Sequence, residues 1–216
     1  MKTTLTFCVL STLFFSCNNN LKDKPQNKDL TTEQSQTSTN KNLETVNIKV
    51  LLSKMLLWVN SQEQLNSIPA KLSVDSLYTS IDFDAVSNHV KSLEQSKYFT
   101  NNFIENYQKI FKKLDSELKN DKSLYWQEGE LSPFNFMGDV NPWILTQDIP
   151  YDSPNPYENI EIIEFDPKLG TGKWKWKASD NLDDSWKSFT YKFRVYLNNN
   201  TYKIDYLEGF DLNNII

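Results

Sequence analysis

Two cysteines, one histidine and five glycines are all that 216 residues contain of those types, and Arg194 is the only arginine. Cys8 and Cys17 cannot build a disulfide scaffold. So few glycines leave no phosphate-cradling loop. Gly170-Thr171-Gly172 precedes an alternating run, not a helix, and reads as a turn. His89 alone cannot anchor a histidine metal site, and no Ser-His-Asp spacing surrounds it. It falls at the edge of an apolar helical stripe and reads as a partly buried structural histidine. The net charge of −5 argues against a nucleic-acid binder, which neutralises phosphates with clustered Lys and Arg. A mean hydropathy of −0.59 argues against several membrane spans.

What is present begins with an address. Met1-Lys2 supplies a positive start, and Leu5 to Phe15 is an apolar run. At about eleven residues it is short of the roughly 20 a membrane span needs, and it matches the core of a secretory signal. It ends in Ser16-Cys17, a small residue before a cysteine. That resembles the lipobox of bacterial lipoproteins, with Phe14 where Leu is usual. The resemblance implies that 1–16 is removed and that Cys17 is acylated, with the membrane as first partner. Cys8 is then discarded, and the mature body has no free thiol for catalysis or metal binding. Residue 18 is Asn, not the Asp that retains some enteric lipoproteins in the inner membrane, which favours the outer membrane of the cell envelope.

Residues 17–45 read as lipid anchor plus tether. Asn, Gln, Ser, Thr, Lys and Asp dominate, no aromatic occurs, and the charges cancel. Such a stretch buries too little apolar surface to offset its ordering entropy, so disorder is expected.

Residues 46–216 read as one domain. A first helix is expected at Val46 to Asn60, with Ile48, Leu51, Leu52, Met55, Leu56 and Val59 on one face. Val50 and Leu57 lie opposite, which predicts a helix covered on two sides. Pro69 to Ser80 reads as loop. Asp82 is the expected N-cap of a second helix, with Phe83, Val86, Val90 and Leu93 in line. Thr100 is the expected cap of a third, with a stripe from Phe103 to Leu118. The period then becomes two. Trp174 and Trp176 share one face and Lys173, Lys175 and Lys177 the other. Phe189, Tyr191, Phe193, Val195 and Leu197 alternate, as do Tyr202, Ile204 and Tyr206. A two-residue turn at Asn199-Asn200 pairs Leu197 with Tyr202, Val195 with Ile204 and Phe193 with Tyr206. It also sets Arg194 against Asp205 as a cross-strand salt bridge.

Helices first and strands after make an α+β fold: about three helices on a curved antiparallel sheet of roughly four to five strands. The aromatic helix Phe99 to Leu118, the segment Asn141-Pro142-Trp143-Ile144-Leu145-Thr146-Gln147-Asp148 and the closing Tyr202-Lys203-Ile204-Asp205 together resemble the family called domain of unknown function 3828. Its middle motif usually starts with Asp, where Asn141 stands. The resemblance implies a cone like that of nuclear transport factor 2, a sheet wrapped around helices with a hollow between. That fold hosts isomerases, dehydratases and non-catalytic binders, so it does not fix function.

Prolines 142, 150, 154 and 156 stiffen the segment carrying Trp143, Gln147, Asp148, Tyr151, Asp152 and Tyr157. Two readings are open. It is a binding loop at the cone's mouth, or Gln147 and Asp148 bond neighbouring loops or cap the third helix. Asp180-Asn181 and Asp183-Asp184 lack EF-hand spacing and read as a solvated loop. No metal or cofactor is implied. The leading expectation is a non-catalytic envelope lipoprotein that binds or supports an envelope protein or a small ligand. The alternatives are a small isomerase or hydrolase with Asp148 as general base, and an immunity protein against a toxin.

Overall fold

A computed structural model describes the backbone of residues 30–121, 125–151, 154–178, 186 and 188–216, and side chains from residue 42 onward. The elements are α1 (Leu30–Asn60), β1 (Ala70–Leu72), β2 (Tyr78–Ile81), α2 (Phe83–Ser96), α3 (Asn101–Asn120), β3 (Ile160–Asp166), β4 (Thr171–Trp176), β5 (Tyr191–Asn198) and β6 (Thr201–Leu207). Short 3-10 turns stand at Glu63–Asn66, Pro156–Asn159 and Glu208–Phe210. The fold is α+β, with a two-stranded sheet and a four-stranded antiparallel sheet in the order β3-β4-β5-β6.

The first helix corrects the tether expectation, since α1 already runs from Leu30. No Gly or Pro interrupts Leu30 to Asn60. Once the packed half has formed the costly first turn, extension towards the N-terminus adds one hydrogen bond per residue. Burial itself begins at Ile48 and continues through Leu52, Met55, Leu56 and Val59. The expected cover on the far side is missing, because Val50 and Leu57 are exposed. The domain packs against one side of α1 only, and single apolar residues at a surface are common.

Pro69 to Ser80, expected as loop, holds the β1–β2 hairpin. Its support comes from far along the chain. Leu77 bridges Gln127, and the Tyr78 N–H donates to the Trp126 carbonyl (2.9 Å). The Tyr78 and Trp126 rings lie 4.3 Å apart. Local periodicity cannot report such a partner.

Both expected caps form. Asp82 accepts from the N–H groups of Asp84 and Ala85, and Thr100 accepts from Phe103 N (3.2 Å). Val86, Val90 and Leu93 are buried, but Phe83, at the first turn of α2, is exposed. The α3 stripe packs as expected, and stacked Phe99 and Phe103 sit 4.6 Å apart at its start.

The main sheet turns Trp174, Trp176, Tyr191, Phe193, Val195 and Ile204 inward. Leu197 and Phe189, expected on that face, are exposed at or beyond the ends of β5. Asn199 and Asn200 both take positive φ (47° and 59°), as a tight hairpin turn requires. Leu197↔Tyr202 and Val195↔Ile204 pair as expected. A bulge between Arg194 and Val195 then shifts the register to Arg194↔Tyr206 and Phe193↔Leu207. Gly170 (φ 65°) closes the β3–β4 hairpin where a Cβ would meet the Val195 carbonyl oxygen at 2.1 Å. Rings of the two outer strands, Phe165 and Tyr202, come within 6.4 Å, so the sheet curls towards its inner face. The segment before α3 covers the open edge of β6: Ile204 N donates to the Tyr98 carbonyl (2.8 Å), and Thr100 N to the Ile204 carbonyl (2.9 Å).

His89 is buried, with Nδ1 2.9 Å from the Tyr107 hydroxyl and its ring edge-on to Phe111. Burial lowers its pKa from the ordinary 6.5. Folding therefore favours the neutral ring. The associated stability is fully present above pH 6.5 and is lost as pH falls towards the lowered folded value. Thermal melts between about pH 7 and pH 5.5 should show a falling Tm, with a shallower slope in His89→Gln. Equal slopes would mean the ring charges freely in the native state.

Candidate functional site

The candidate residues of the proline-stiffened segment do not come together among the described residues. Asn141 Oδ1 accepts from Trp143 N (2.9 Å), and Asn141 bridges back to Thr146. Asn thus supplies the turn chemistry that Asp would. The turn drives Trp143 into the core, where its indole N–H donates to the Leu65 carbonyl (3.1 Å). Tyr157 is also buried, and burial pushes its hydroxyl up to about 12. Tyr151 is half-buried and donates to the Lys177 carbonyl. Gln147 and Asp148 are exposed, and neither caps α3, which Thr100 caps. Asp152, the 180–184 carboxylates and Cys17 lie outside the described residues. Trp143 and Tyr157 are core, Tyr151 is half-buried and the described polar members are surface, so they do not converge.

A different surface does. Alternation along β5 turns Tyr191, Phe193 and Val195 inward and Lys192, Arg194, Tyr196 and Asn198 outward. All four outward residues line one of two hollows. The larger, about 670 Å³, has walls from Glu164, Lys173, Lys192, Arg194 and Tyr206 and also takes in Thr45 of α1 and the inward-facing Phe165 and Phe193. The smaller, about 290 Å³, is bounded by Thr100, Asn101, Tyr196, Asn198, Lys203 and Asp205. The expected Arg194–Asp205 salt bridge is present at 2.7 Å (Nε to Oδ2) and divides the two hollows. A further hollow of about 650 Å³ lies between the 132–145 loop and the C-terminal residues, with Phe134, Phe136, Val140, Pro142 and Leu145 among its walls.

The outward face is held from the side. Thr100 Oγ1 donates to Asp205 Oδ1 (2.7 Å), and the Arg194 guanidinium lies 5.8 Å from the Tyr206 ring centre. Burial alone would raise the Asp205 carboxyl. Hydrogen bonds from Thr100 and Arg194, with the guanidinium charge, outweigh burial and hold it below its ordinary value. Lys173 and Lys192 are direct cross-strand partners, a like-charge pairing that is unfavourable by itself. Each is drawn to a carboxylate: Lys173 to Glu164 (2.9 Å) and Lys192 to Glu208 (2.9 Å). The hydrogen bond to Glu208 raises the Lys192 pKa. Asp166 turns to its own hairpin, accepting from the N–H groups of Lys168 and Leu169.

This arrangement offers fixed donors and acceptors with compensated charge beside two tyrosines. Arg194 and Asp205 were visible in the sequence as a salt bridge, while Lys192, Tyr196, Asn198, Lys203 and Tyr206 were not. For the first four the signal was the off-phase half of the β5–β6 alternation, read there only for its apolar half; Tyr206 was expected inward opposite Phe193, and the bulge at Arg194/Val195 sets it opposite Arg194 instead. Among the described residues, no group of three or more His, Cys, Asp or Glu could hold a metal ion. In comparisons with known proteins, no family model, no curated protein and no solved structure matches the chain.

Proposed function

We propose that the protein is lipid-anchored through Cys17 in the bacterial cell envelope, outer membrane favoured, and binds another envelope component without catalysis through the outward face of β3–β6. The outward row of β5 carries this reading. Its side chains line two hollows, and two of them are held before any partner arrives, Lys192 by Glu208 and Arg194 by Asp205, which Thr100 holds in turn. Groups already fixed lose little entropy on binding. The apolar run ending in Ser16-Cys17 supports the anchor. The resemblance to domain of unknown function 3828 rests on the sequence segments at 99–118, 141–148 and 202–205. Asp148, the base of the enzyme reading, is exposed and lines neither hollow of the sheet face, so that residue gives the reading no support.

A photocrosslinking amino acid in place of Tyr196, in the full chain in living cells, should give a discrete membrane-fraction adduct. The same substitution at exposed Lys109 on α3 should not. No adduct from Tyr196, or the same adduct from both positions, would reject the face as a binding surface.

A further inference from the structure

Resting on that binding face, we infer that its ligand is an uncharged, hydroxyl-rich chain: an oligosaccharide. Backbone geometry speaks first. The row lies on β5, between β4 and β6, and both of its ladders are in use. A peptide adding to a sheet needs a free edge, and none exists at this row.

Charge speaks second. Lys173, Lys192 and Arg194 each sit against a carboxylate: Glu164, Glu208 and Asp205. An anion approaching the cations meets those carboxylates, and a cation meets the reverse. A hydroxyl donates and accepts at once, so it bridges the two members of an ion pair without displacing either. Arg194 is bonded here through Nε and is 49% exposed, which leaves the end of its guanidinium open to the larger hollow.

Shape speaks third. Tyr206 lines one hollow and Tyr196, 63% exposed, lines the other. Tyr196 presents a flat apolar ring with a polar tip, which suits a sugar ring's C–H face and hydroxyl rim, while one face of the partly buried Tyr206 ring carries the Arg194 guanidinium. Asn101 and Asn198 add amides at the far end. From Lys192 to Asn198 the row runs about 20 Å, at roughly 3.3 Å per residue, which fits a chain better than a single ring.

The test titrates the purified full chain with a panel of neutral oligosaccharides built on glucose, mannose and N-acetylglucosamine. Inorganic phosphate and one acidic and one basic peptide form separate arms. The expected result is saturable binding of a neutral oligosaccharide, little changed between about 0.05 and 0.5 M salt. It should fall at least tenfold in Tyr196→Ala, whose exposed position leaves the melting curve intact. The inference is overturned if no neutral oligosaccharide binds, if Tyr196→Ala binds like wild type, or if only phosphate or a peptide binds. An intact Tyr196 crosslink beside a failed sugar panel would remove the saccharide and leave the binding face standing.

Discussion

Trp143→Ala should lower the melting temperature by on the order of 10 °C, while Gln147→Ala and Asp148→Ala shift it by no more than about 2 °C. The three residues lie within six positions of one another, and their fates differ by environment. The Trp143 ring packs 4.4 Å from Phe210, 5.9 Å from Phe99 and 6.1 Å from Phe103, between centres. Its removal deletes that contact surface and leaves a cavity, at about 3–5 kcal/mol for a buried tryptophan. The Leu65 carbonyl also loses its indole donor. The site has little room to collapse, because a Cβ on neighbouring Gly209 would stand 2.0 Å from the Pro142 carbonyl oxygen. That close approach pins the loop against the 3-10 turn at Glu208–Phe210. Circular-dichroism melts of the three variants measure the contrast. A Trp143→Ala protein that melts like wild type would return this residue to the surface role its segment suggests.

The helices were legible because their signals are local. Asp82 and Thr100 cap within three residues, and the stripes of α1 and α3 repeat at helical spacing. The β5–β6 hairpin was legible for four residues from its turn, up to the bulge at Arg194/Val195. A bulge leaves no mark in apolar alternation, since Tyr206 and Leu207 are both acceptable partners for Phe193. The Arg194–Asp205 bridge survives the slip because a guanidinium reaches diagonally across strands. The β1–β2 hairpin was hidden because the 126–128 segment that supports it lies some fifty residues away. The candidate site misled for a related reason. Prolines and a tight turn do hold the 141–157 segment, but rigidity says nothing about direction. Asn141 turns Trp143 inward, so the most conspicuous aromatic of the segment belongs to the core. The outward row of β5 is built from residues that look like ordinary strand polarity one at a time. Only the register places Lys173 beside Lys192 and Arg194 beside Tyr206.

Cys17→Ala should move the protein from the detergent-soluble membrane fraction to the soluble fraction of the envelope, an all-or-none change. The apolar run at residues 5–15 is too short to span a bilayer, and no helix among the described residues is long and apolar enough to cross one. Acyl chains on Cys17 then supply the membrane hold, and more than one chain is needed for stable anchoring. The same reading fixes the thiol count. Removal of 1–16 takes Cys8 with it, and a thioether consumes Cys17, so the mature wild-type chain should show no reactive thiol. Mass spectrometry of the N-terminal peptide should find an acylated cysteine followed by Asn18. A soluble wild type, a membrane-bound Cys17→Ala or a free Cys17 thiol in the mature chain would each reject the anchor. The helix sharpens what the anchor carries. From Leu30 to Ile48, where burial begins, α1 rises about 27 Å at 1.5 Å per residue. On the anchored reading, a lipid at residue 17 would hold the domain on a spacer whose upper part is helical, and the proposed binding face would then lie within a restricted range of heights above the bilayer. Lengthening α1 by two turns before Ile48 should leave membrane fractionation unchanged, while truncating the spacer should weaken the Tyr196 crosslink without altering the melting curve.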